Sequence, residues 1–485
     1  MNTPKNSQYP QPNLPNLNKA SAQATSAGTS VFISGLIFAF ISINAEMTPT
    51  FMASQVAIIV AVSIAISIFC DGRKGLKNLF RADLVCILSL YFLSLVEFLY
   101  PQPDFNQFLT SEQTLAALKV LLIGFASLAI GRHINISKAK TPRWLDFSNI
   151  PNTVLFRLLI ICAILAYFNM LSSVNFNPMR VFEALLGPRF AVPWGRGRLG
   201  DWRALISEWN ILANAIPPLT GIILNNRRLF PSWQIYLVIS IFVFTIFEGF
   251  ASGTRNVFCS YVATFLAGYF LTLKRPTFFN VAIPIGIAGY SILFATHHML
   301  GFRDIGILNY LASGKFNEQA QETLKVDFNL AAMGLLIDAF PKNHDFLGLE
   351  LIVVFLTKPI PRVLWHDKPE GLSVSIEDVV GAEGWTVSST YLGECYMLGG
   401  IFAVIAISLL LGMLASWWSR TVKFETSGYG IVVNALGFFT AAISMRSLIV
   451  FTTSMLPVIG LIFLAKQLPG FLGINKNVAY DPPPK

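Results

Sequence analysis

Arginine is concentrated in one polar stretch, residues 173–206, which lies between two apolar runs of the chain. This stretch contains no lysine, and its five arginines are Arg180, Arg189, Arg196, Arg198 and Arg203. A guanidinium group binds two phosphate oxygens at once, and the glycines at 195, 197 and 200 allow backbone N–H groups to turn toward an anion. The pattern predicts a clamp for a diphosphate at a membrane surface. The alternative is that these arginines extend to lipid headgroups without a specific ligand.

Three further arginines stand at the ends of different apolar runs. Arg255 follows the sequence ASGT, Arg303 precedes Asp304, and Arg446 lies within AISMRSLIVF. A charge in or near a bilayer is costly unless it has a partner. Each arginine alone is compatible with a structural ion pair or with the membrane surface. Their common level at the outer ends of spans leads us to predict that they converge on one anionic headgroup.

Two residues are candidates for a general base. His366 lies between Arg362 and Lys368, and an imidazole can remove a hydroxyl proton near neutral pH. Glu394 follows Tyr391 by three positions, so the two share a helix face. Glu394 is predicted to act as a base or to orient a sugar hydroxyl, or else to favour the positive N-terminus of a helix. The alternative for His366 is that it fixes the local structure of its loop.

The sequence predicts neither a metal site nor a cofactor. His297 and His298 are adjacent, so they point to different helix faces and lack the i, i+4 geometry of a helical metal pair. The five cysteines show no paired spacing, which gives neither a disulfide framework nor a zinc site. They are predicted to be small packing residues.

Membrane helices must position these side chains. Of the 485 residues, 54% are hydrophobic and 13% are charged, about half of the charged fraction of a soluble protein. Several runs approach the roughly 20 apolar residues that a bilayer requires. We predict an all-α polytopic membrane protein with about twelve spans, near residues 30–45, 52–70, 84–101, 113–131, 153–172, 207–225, 235–251, 256–273, 278–298, 390–417, 429–445 and 447–466.

The distribution of positive charge predicts the orientation of the chain. Much of the net charge of +9 sits in short clusters in alternate loops, which is typical of cytoplasmic loops and not of a nucleic-acid-binding protein. We therefore predict cytoplasmic tails at residues 1–29 and 467–485 and a transmembrane domain at 30–466. Two long loops, about 173–206 and 299–389, are predicted to face the outside.

One apolar run, residues 346–356, is too short to cross a bilayer. Counting it as a span would move every later loop to the other side and break the charge alternation. We predict a helix that lies at, or dips into, the outer surface and is ended by Pro359 and Pro361. The charged residues of the following PRVLWHDK segment would then lie at headgroup level.

Three segments of the sequence resemble one family. They are ASGTR at 251–255, IPRVLWHDKPEG at 360–371 and STYLGECYMLGGIFAVI at 389–405. They are similar to motifs of the oligosaccharide repeat-unit polymerases, the Wzy-type O-antigen and exopolysaccharide polymerases. The likeness covers roughly residues 248–466 in motifs and the whole chain in its span count. The matching positions are Arg255, Arg362, Lys368 and Glu394.

The resemblance implies an all-helical glycosyltransferase of the GT-C type in the bacterial inner membrane. Such enzymes take a glycan chain from undecaprenyl diphosphate and join it to a lipid-linked repeat unit on the outer face, without a metal ion. The expected partners are this lipid-linked oligosaccharide, the bilayer, and a chain-length regulator and flippase of the same pathway. Together with the residue arguments above, the expected catalytic residues are His366, Glu394, Arg255 and Arg362. The expected substrate-binding residues are the five arginines of residues 173–206 with Arg303, Lys368, Tyr391 and Arg446.

Three other functions are compatible with the sequence. An O-antigen ligase is also an enzyme of the GT-C type, but it transfers glycan to lipid A or protein. A transporter or flippase of lipid-linked oligosaccharide should line the midplane of the bilayer with charges, whereas the charges here lie at the ends of spans. A membrane-anchored assembly protein would leave the arginine density of residues 173–206 unexplained.

Overall fold

The computed structural model describes residues 22–134, 142–147, 150–194, 206, 208–273, 277–314, 328–361, 364–365, 367–369, 371–381, 388–421 and 427–467. All the regular elements in these ranges are helical. In chain order the α-helices are α1 (Ser26–Ser42), α2 (Pro49–Gly72), α3 (Ala82–Ser94), α4 (Ser111–Gly131), α5 (Val154–Ser173), α6 (Pro178–Leu186), α7 (Ile216–Asn225), α8 (Ser232–Ala251), α9 (Arg255–Thr272), α10 (Phe278–Arg303), α11 (Ile307–Ala312), α12 (Asn329–Ala339), α13 (Leu349–Thr357), α14 (Ile376–Val380), α15 (Thr390–Thr421), α16 (Gly428–Arg446), α17 (Phe451–Ser454) and α18 (Leu456–Gln467).

Within the described ranges, eight helices are long and apolar enough to cross a membrane. They are α2, α4, α5, α8, α10, α15, α16 and the closing segment Leu448–Gln467. The prediction of an all-helical membrane protein is therefore confirmed, and a lipid bilayer is its environment.

The other predicted spans correspond to shorter or less apolar helices. α1 has 17 residues and α3 has 13. The predicted span at 207–225 contains a 3₁₀ helix, Trp209–Ala215, followed by α7. α9 has 18 residues but is less apolar than the eight long helices. The total of twelve spans stays a prediction.

Glycines set the closest contacts between helices. A Cβ atom at Gly412 of α15 would lie 2.4 Å from the carbonyl oxygen of Leu128 on α4, and one at Gly268 of α9 would lie 2.4 Å from that of Pro218 on α7. Because these distances are far below van der Waals contact, a larger residue would push the backbones apart. Close packing thus fixes the positions of α15 and α9, which both contribute to the site described below.

α15 is interrupted at Gly399 and Gly400, whose backbone angles are not helical. Gly400 has a φ of 63°, in the left-handed region that favours glycine. A break leaves carbonyl groups without helical partners, and these need other donors. The N–H of Leu347 donates to the carbonyl of Met397 at 2.8 Å, and that of the following glycine donates to Leu398 at 3.0 Å. The chain entering α13 is thereby bound to the break.

α13 is the short apolar helix predicted not to span the membrane. Its nine residues rise about 14 Å, well short of the roughly 30 Å of a hydrocarbon core. Its location at the outer surface stays a prediction. The helix exposes Leu349 and Leu356. Its other side contacts the chain after α16, where the Thr452 hydroxyl donates to the carbonyl of Phe355 at 2.7 Å.

The two ends of the helix bundle carry different polar groups. At one end the buried Arg81 guanidinium lies 2.7 Å from the carboxylate of Asp71 and 3.1 Å from that of Asp83. The hydroxyl of Ser419, near the C-terminus of α15, donates to Asp83 at 3.3 Å. Glu394 lies near the N-terminus of the same helix. We call these the Asp71 end and the Glu394 end.

Candidate functional site

A pocket of about 120 Å³ lies at the Glu394 end of the bundle. Four elements form it: the 3₁₀ turn Arg189–Ala191, the N-terminus of α9, and the C-termini of α10 and α16. Its described lining residues are Arg189, Gly253, Thr254, Arg255, Asn256, Leu300, Arg303 and Arg446. The space is several times that needed for one water molecule. We call it the arginine pocket, since half of these residues are arginines.

Positive charge accumulates in the arginine pocket without a carboxylate among its described lining residues. Burial, followed by the neighbouring charges of Arg303 and Arg446, lowers the pKa of Arg189, while the nearby Asp304 acts in the opposite direction. Like charges held together are stabilised when an anion binds between them. Several guanidinium groups around one space suit a ligand with several phosphate oxygens.

The N-terminus of α9 adds a second feature that favours anions. Thr254 is the N-cap residue of this 18-residue helix, and its side chain makes no capping hydrogen bond to the first turn. The same residue lines the arginine pocket together with Arg255 and Asn256. First-turn N–H groups and the helix dipole both favour negative charge. The N-terminus of α9 and the guanidinium groups therefore line the same pocket.

Two glycines allow the arginines to come together. Gly253 has a φ of 63°, and a Cβ atom there would lie 3.2 Å from Cβ and Cγ of Arg303. Gly306 has a φ of 86°, and its Cβ atom would lie 2.8 Å from the carbonyl carbon of Gly187. Because Gly187 precedes Arg189 by two residues, this close approach places the arginine-rich loop against the turn after α10.

Phe190 lies beside two of the pocket arginines. The guanidinium carbons of Arg189 and Arg303 are each 5.6 Å from the centroid of its ring. The ring itself is 74% exposed, so packing in the core does not explain its position. The negative face of an aromatic ring attracts cations. Phe190 therefore offsets part of the repulsion between these two side chains.

Glu394 determines how the chain continues after Arg446. Its buried carboxylate accepts hydrogen bonds from the hydroxyl of Ser447 at 2.5 Å and from the N–H groups of Leu448 at 2.6 Å and Ile449 at 3.3 Å. It thus binds the N-terminus of the 3₁₀ helix Leu448–Val450. The alternative predicted from the sequence is the N-terminus of Glu394's own helix, whereas the helix terminus that the carboxylate binds belongs to a different helix. Its predicted role as a general base stays a prediction. These contacts hold the chain in place directly after Arg446.

Three other predicted site residues are not among the described residues that line the arginine pocket. The Tyr391 hydroxyl is buried and bonds to that of Ser408 at 2.9 Å, so this residue belongs to the core of α15. Arg180 is exposed on α6. The Lys368 ammonium donates to the carbonyls of Lys358 and Ile360, at 2.9 and 2.8 Å, just beyond the C-terminus of α13.

Five predicted residues lie outside the described part of the chain. They are Arg196, Arg198, Arg203, Arg362 and His366. The structure neither includes them in the arginine pocket nor separates them from it.

The sequence predictions missed the residues that organise the pocket. Phe190 was overlooked because an isolated aromatic residue in a polar loop carries no pattern. Gly253 carries a signal in the sequence, since it follows the C-cap residue of α8, a position where glycine with positive φ is common. The ASGTR segment contains the N-terminus of α9, whose backbone N–H groups favour an anion.

The residues that the structure describes contain no group of three or more His, Cys, Asp or Glu side chains that could hold a metal ion.

In comparisons with known proteins, residues 331–444 match a family model described as a domain of unknown function, DUF8712. No curated protein and no solved structure matches the chain significantly. The matched segment includes Glu394 and ends two residues before Arg446.

Proposed function

We propose that this chain is a membrane glycosyltransferase that polymerises undecaprenyl-diphosphate-linked oligosaccharide repeat units into O-antigen or exopolysaccharide. The observation that carries the proposal is the convergence of Arg189, Arg255, Arg303 and Arg446 with the N-terminus of α9. A lipid diphosphate matches this arrangement because it combines clustered negative charge with an apolar tail that belongs in a bilayer.

The proposed chemistry uses the arginines to stabilise the leaving group. An acceptor hydroxyl attacks C1 of the sugar, the bond from C1 to the diphosphate oxygen breaks, and its electron pair passes to undecaprenyl diphosphate. Preorganised guanidinium groups are most effective where negative charge develops in the transition state. The hydroxyl proton passes to a base. We assign this role to His366, because the Glu394 carboxylate already accepts hydrogen bonds from Ser447 and Leu448.

The proposed orientation places the Glu394 end on the outer face of the bacterial inner membrane and both termini in the cytoplasm. Basic residues of three inter-helix connections support it, because they lie at the Asp71 end, as expected for cytoplasmic loops. They are Lys74, Lys77, Arg132, Arg227 and Arg228. The proposed partners at the outer face are the flippase that delivers repeat units and a regulator of chain length.

A deletion strain tests the proposal against its alternatives. Accumulation of single repeat units on undecaprenyl diphosphate at the outer face would support a polymerase. Polymer that is present but unattached would identify a ligase, and repeat units retained at the inner face would identify a flippase.

The purified protein provides the second test. Chains of several repeat units should form from lipid-linked single units when the wild-type protein is added, and Arg255→Ala should abolish most of this product. Normal polymer from Arg255→Ala would overturn the assignment of the arginine pocket.

A further inference from the structure

Two glycines of α10 face open space. A Cβ atom at Gly286 or Gly289 would meet no atom of the described residues within 4 Å. In contrast, Gly268 and Gly412 lie directly against the backbones of neighbouring helices. Glycine weakens a helix relative to alanine, and in membrane helices it usually serves close helix packing. Packing among the described residues of this chain does not account for the two glycines of α10.

These glycines belong to a stripe that leads to the arginine pocket. From Gly286 and Gly289 it continues through Leu293 and His297 to Leu300, at spacings of three and four residues that define one helix face. Leu293 is 46% exposed and Leu300 is 37% exposed. Leu300 also lines the pocket. We call this surface the α10 stripe, and it extends about 21 Å along the helix.

The opposite face of α10 attaches the helix to the protein. Ala288, Ala295, Met299 and Phe302 form a cluster with residues of α9. Only 11% of the apolar window of α10 is buried, the smallest share among the eight long helices that the structure describes. The ring of His297 lies 6.5 Å from that of Tyr100. On either side of this contact, at Leu300 and from Leu293 to Gly286, the α10 stripe is exposed to the bilayer.

We propose that the α10 stripe binds the polyisoprenoid tail of the lipid whose diphosphate occupies the arginine pocket. The proposal rests on the proposed function for the identity of the headgroup. The arginines bind that headgroup, and Leu300, which lines their pocket, begins a path along the helix that passes His297 and reaches Leu293 and the two glycines. At the two glycines no side chain projects from the helix, so a methyl-branched chain could lie directly against its backbone.

A second copy of this chain is the other occupant that such a surface could take, because small residues at helical spacing also suit helix–helix association. Continuity with the arginine pocket favours the lipid. A protein neighbour would not require the stripe to begin at a residue that lines an anion site.

Photocrosslinking tests the α10 stripe without requiring turnover. The full chain is placed in phosphatidylcholine nanodiscs, and a benzoylphenylalanine replaces either Leu293 or, as the control, Ile287, which is 63% exposed elsewhere on the helix. With undecaprenyl diphosphate as the probe, the position-293 protein should be labelled several-fold more than the control. The uncharged undecaprenol should label it weakly, and adding Arg255→Ala should reduce labelling by the diphosphate.

Each other outcome overturns the inference. Equal labelling at the two positions would mean nonspecific contact with lipid, and crosslinks between protein chains at position 293 would mean that a second copy covers the stripe. The proposed function fails separately. Selective labelling without any polymer would support the lipid site but contradict the polymerase activity. Polymer formation without selective labelling would support the polymerase activity but contradict the lipid site.

Kinetics with two donors provide the closing test. Gly289→Phe should raise the KM for glycan on undecaprenyl diphosphate by about tenfold, because the ring displaces apolar contacts of the tail. It should leave the KM for the same glycan on a short prenyl diphosphate unchanged. The matched variant Ile287→Phe should alter neither KM. An equal rise for both donors, or no rise for either, would contradict a tail-binding stripe.

Discussion

The Glu394 carboxylate accepts a hydrogen bond of 2.6 Å from the backbone N–H of Leu448. Leu448 lies two residues after Arg446, whose carbonyl accepts a further bond of 3.0 Å from the hydroxyl of Ser388. The chain is therefore held on both sides of Ser447 at the point where α16 ends. Since Arg446 is the last residue of that helix, these bonds determine where its guanidinium group enters the arginine pocket.

Glu394 should tolerate amide replacement better than truncation. Glu394→Ala should lower kcat/KM by about 100-fold, because a displacement of about 1 Å at a catalytic group has effects of this size. Glu394→Gln keeps an acceptor oxygen for the N–H of Leu448, so it should retain most of the activity with an unchanged pH–rate profile. Initial rates of polymer formation across pH measure both. A general base would instead make the two variants equally inactive and remove one limb of the profile.

Each pocket arginine should contribute to the chemical step. Alanine at position 189, 255, 303 or 446 should lower kcat by about 10²–10³-fold, as expected when one preorganised donor to a developing anion is lost. Lysine at the same positions should restore only part of the lost kcat, because an ammonium group cannot form a two-point contact with phosphate. Single-turnover rates measure the effect, and Arg180→Ala on the exposed face of α6 is the control. A comparable loss in that control would mean that bulk positive charge, and not the pocket, matters.

The helices and the residue type of the pocket could be predicted from the sequence because both depend on local composition. Long apolar runs form α2, α4 and α10, and arginines at the ends of such runs are conspicuous because buried charge is costly. On this basis the sequence alone predicts that Arg255, Arg303 and Arg446 belong to one site.

The arrangement of the pocket could not be predicted in the same way, because it depends on contacts between distant parts of the chain. The bond from Leu448 to Glu394 joins residues 54 positions apart. The break in α15 is stable because Leu347 supplies a donor to Met397, which no pattern within α15 reveals. The approach of Gly306 to Gly187 likewise exists only in the folded chain.

Phe190 should matter through its ring and not through its bulk. Phe190→Leu removes two cation–π contacts worth about 0.5–1 kcal/mol each at exposed sites, so binding of inorganic pyrophosphate should weaken by roughly 5- to 30-fold. Phe190→Tyr keeps the aromatic face and should bind like the wild type. Isothermal titration calorimetry of the three proteins measures this difference. If leucine preserves the affinity, the ring does not hold Arg189 and Arg303 together.

Gly253 should be sensitive both to backbone strain and to its neighbour. Gly253→Ala places a Cβ atom in a left-handed conformation, which costs about 1–2 kcal/mol, and also presses on the side chain of Arg303. The matched variant is Gly314→Ala, where φ is 75° but no atom in the described part of the chain lies within 4 Å of the added Cβ. Thermal unfolding should show a similar loss of stability in both. Only Gly253→Ala should weaken pyrophosphate binding, and equal affinities would show that Arg303 does not depend on this contact.

The buried charges at the Asp71 end should affect stability without affecting the pocket. Asp71→Ala removes a fully buried partner of Arg81, and breaking a buried ion pair on one side costs about 3 kcal/mol or more. Asp338→Ala also removes a carboxylate, but its pair with Lys342 is exposed to solvent, so the unfolding temperature should shift far less. Below the unfolding transition, both variants should bind pyrophosphate like the wild type, because the arginine pocket lies at the opposite end of α15. Weakened binding in Asp71→Ala alone would show that the two ends of the bundle are energetically coupled.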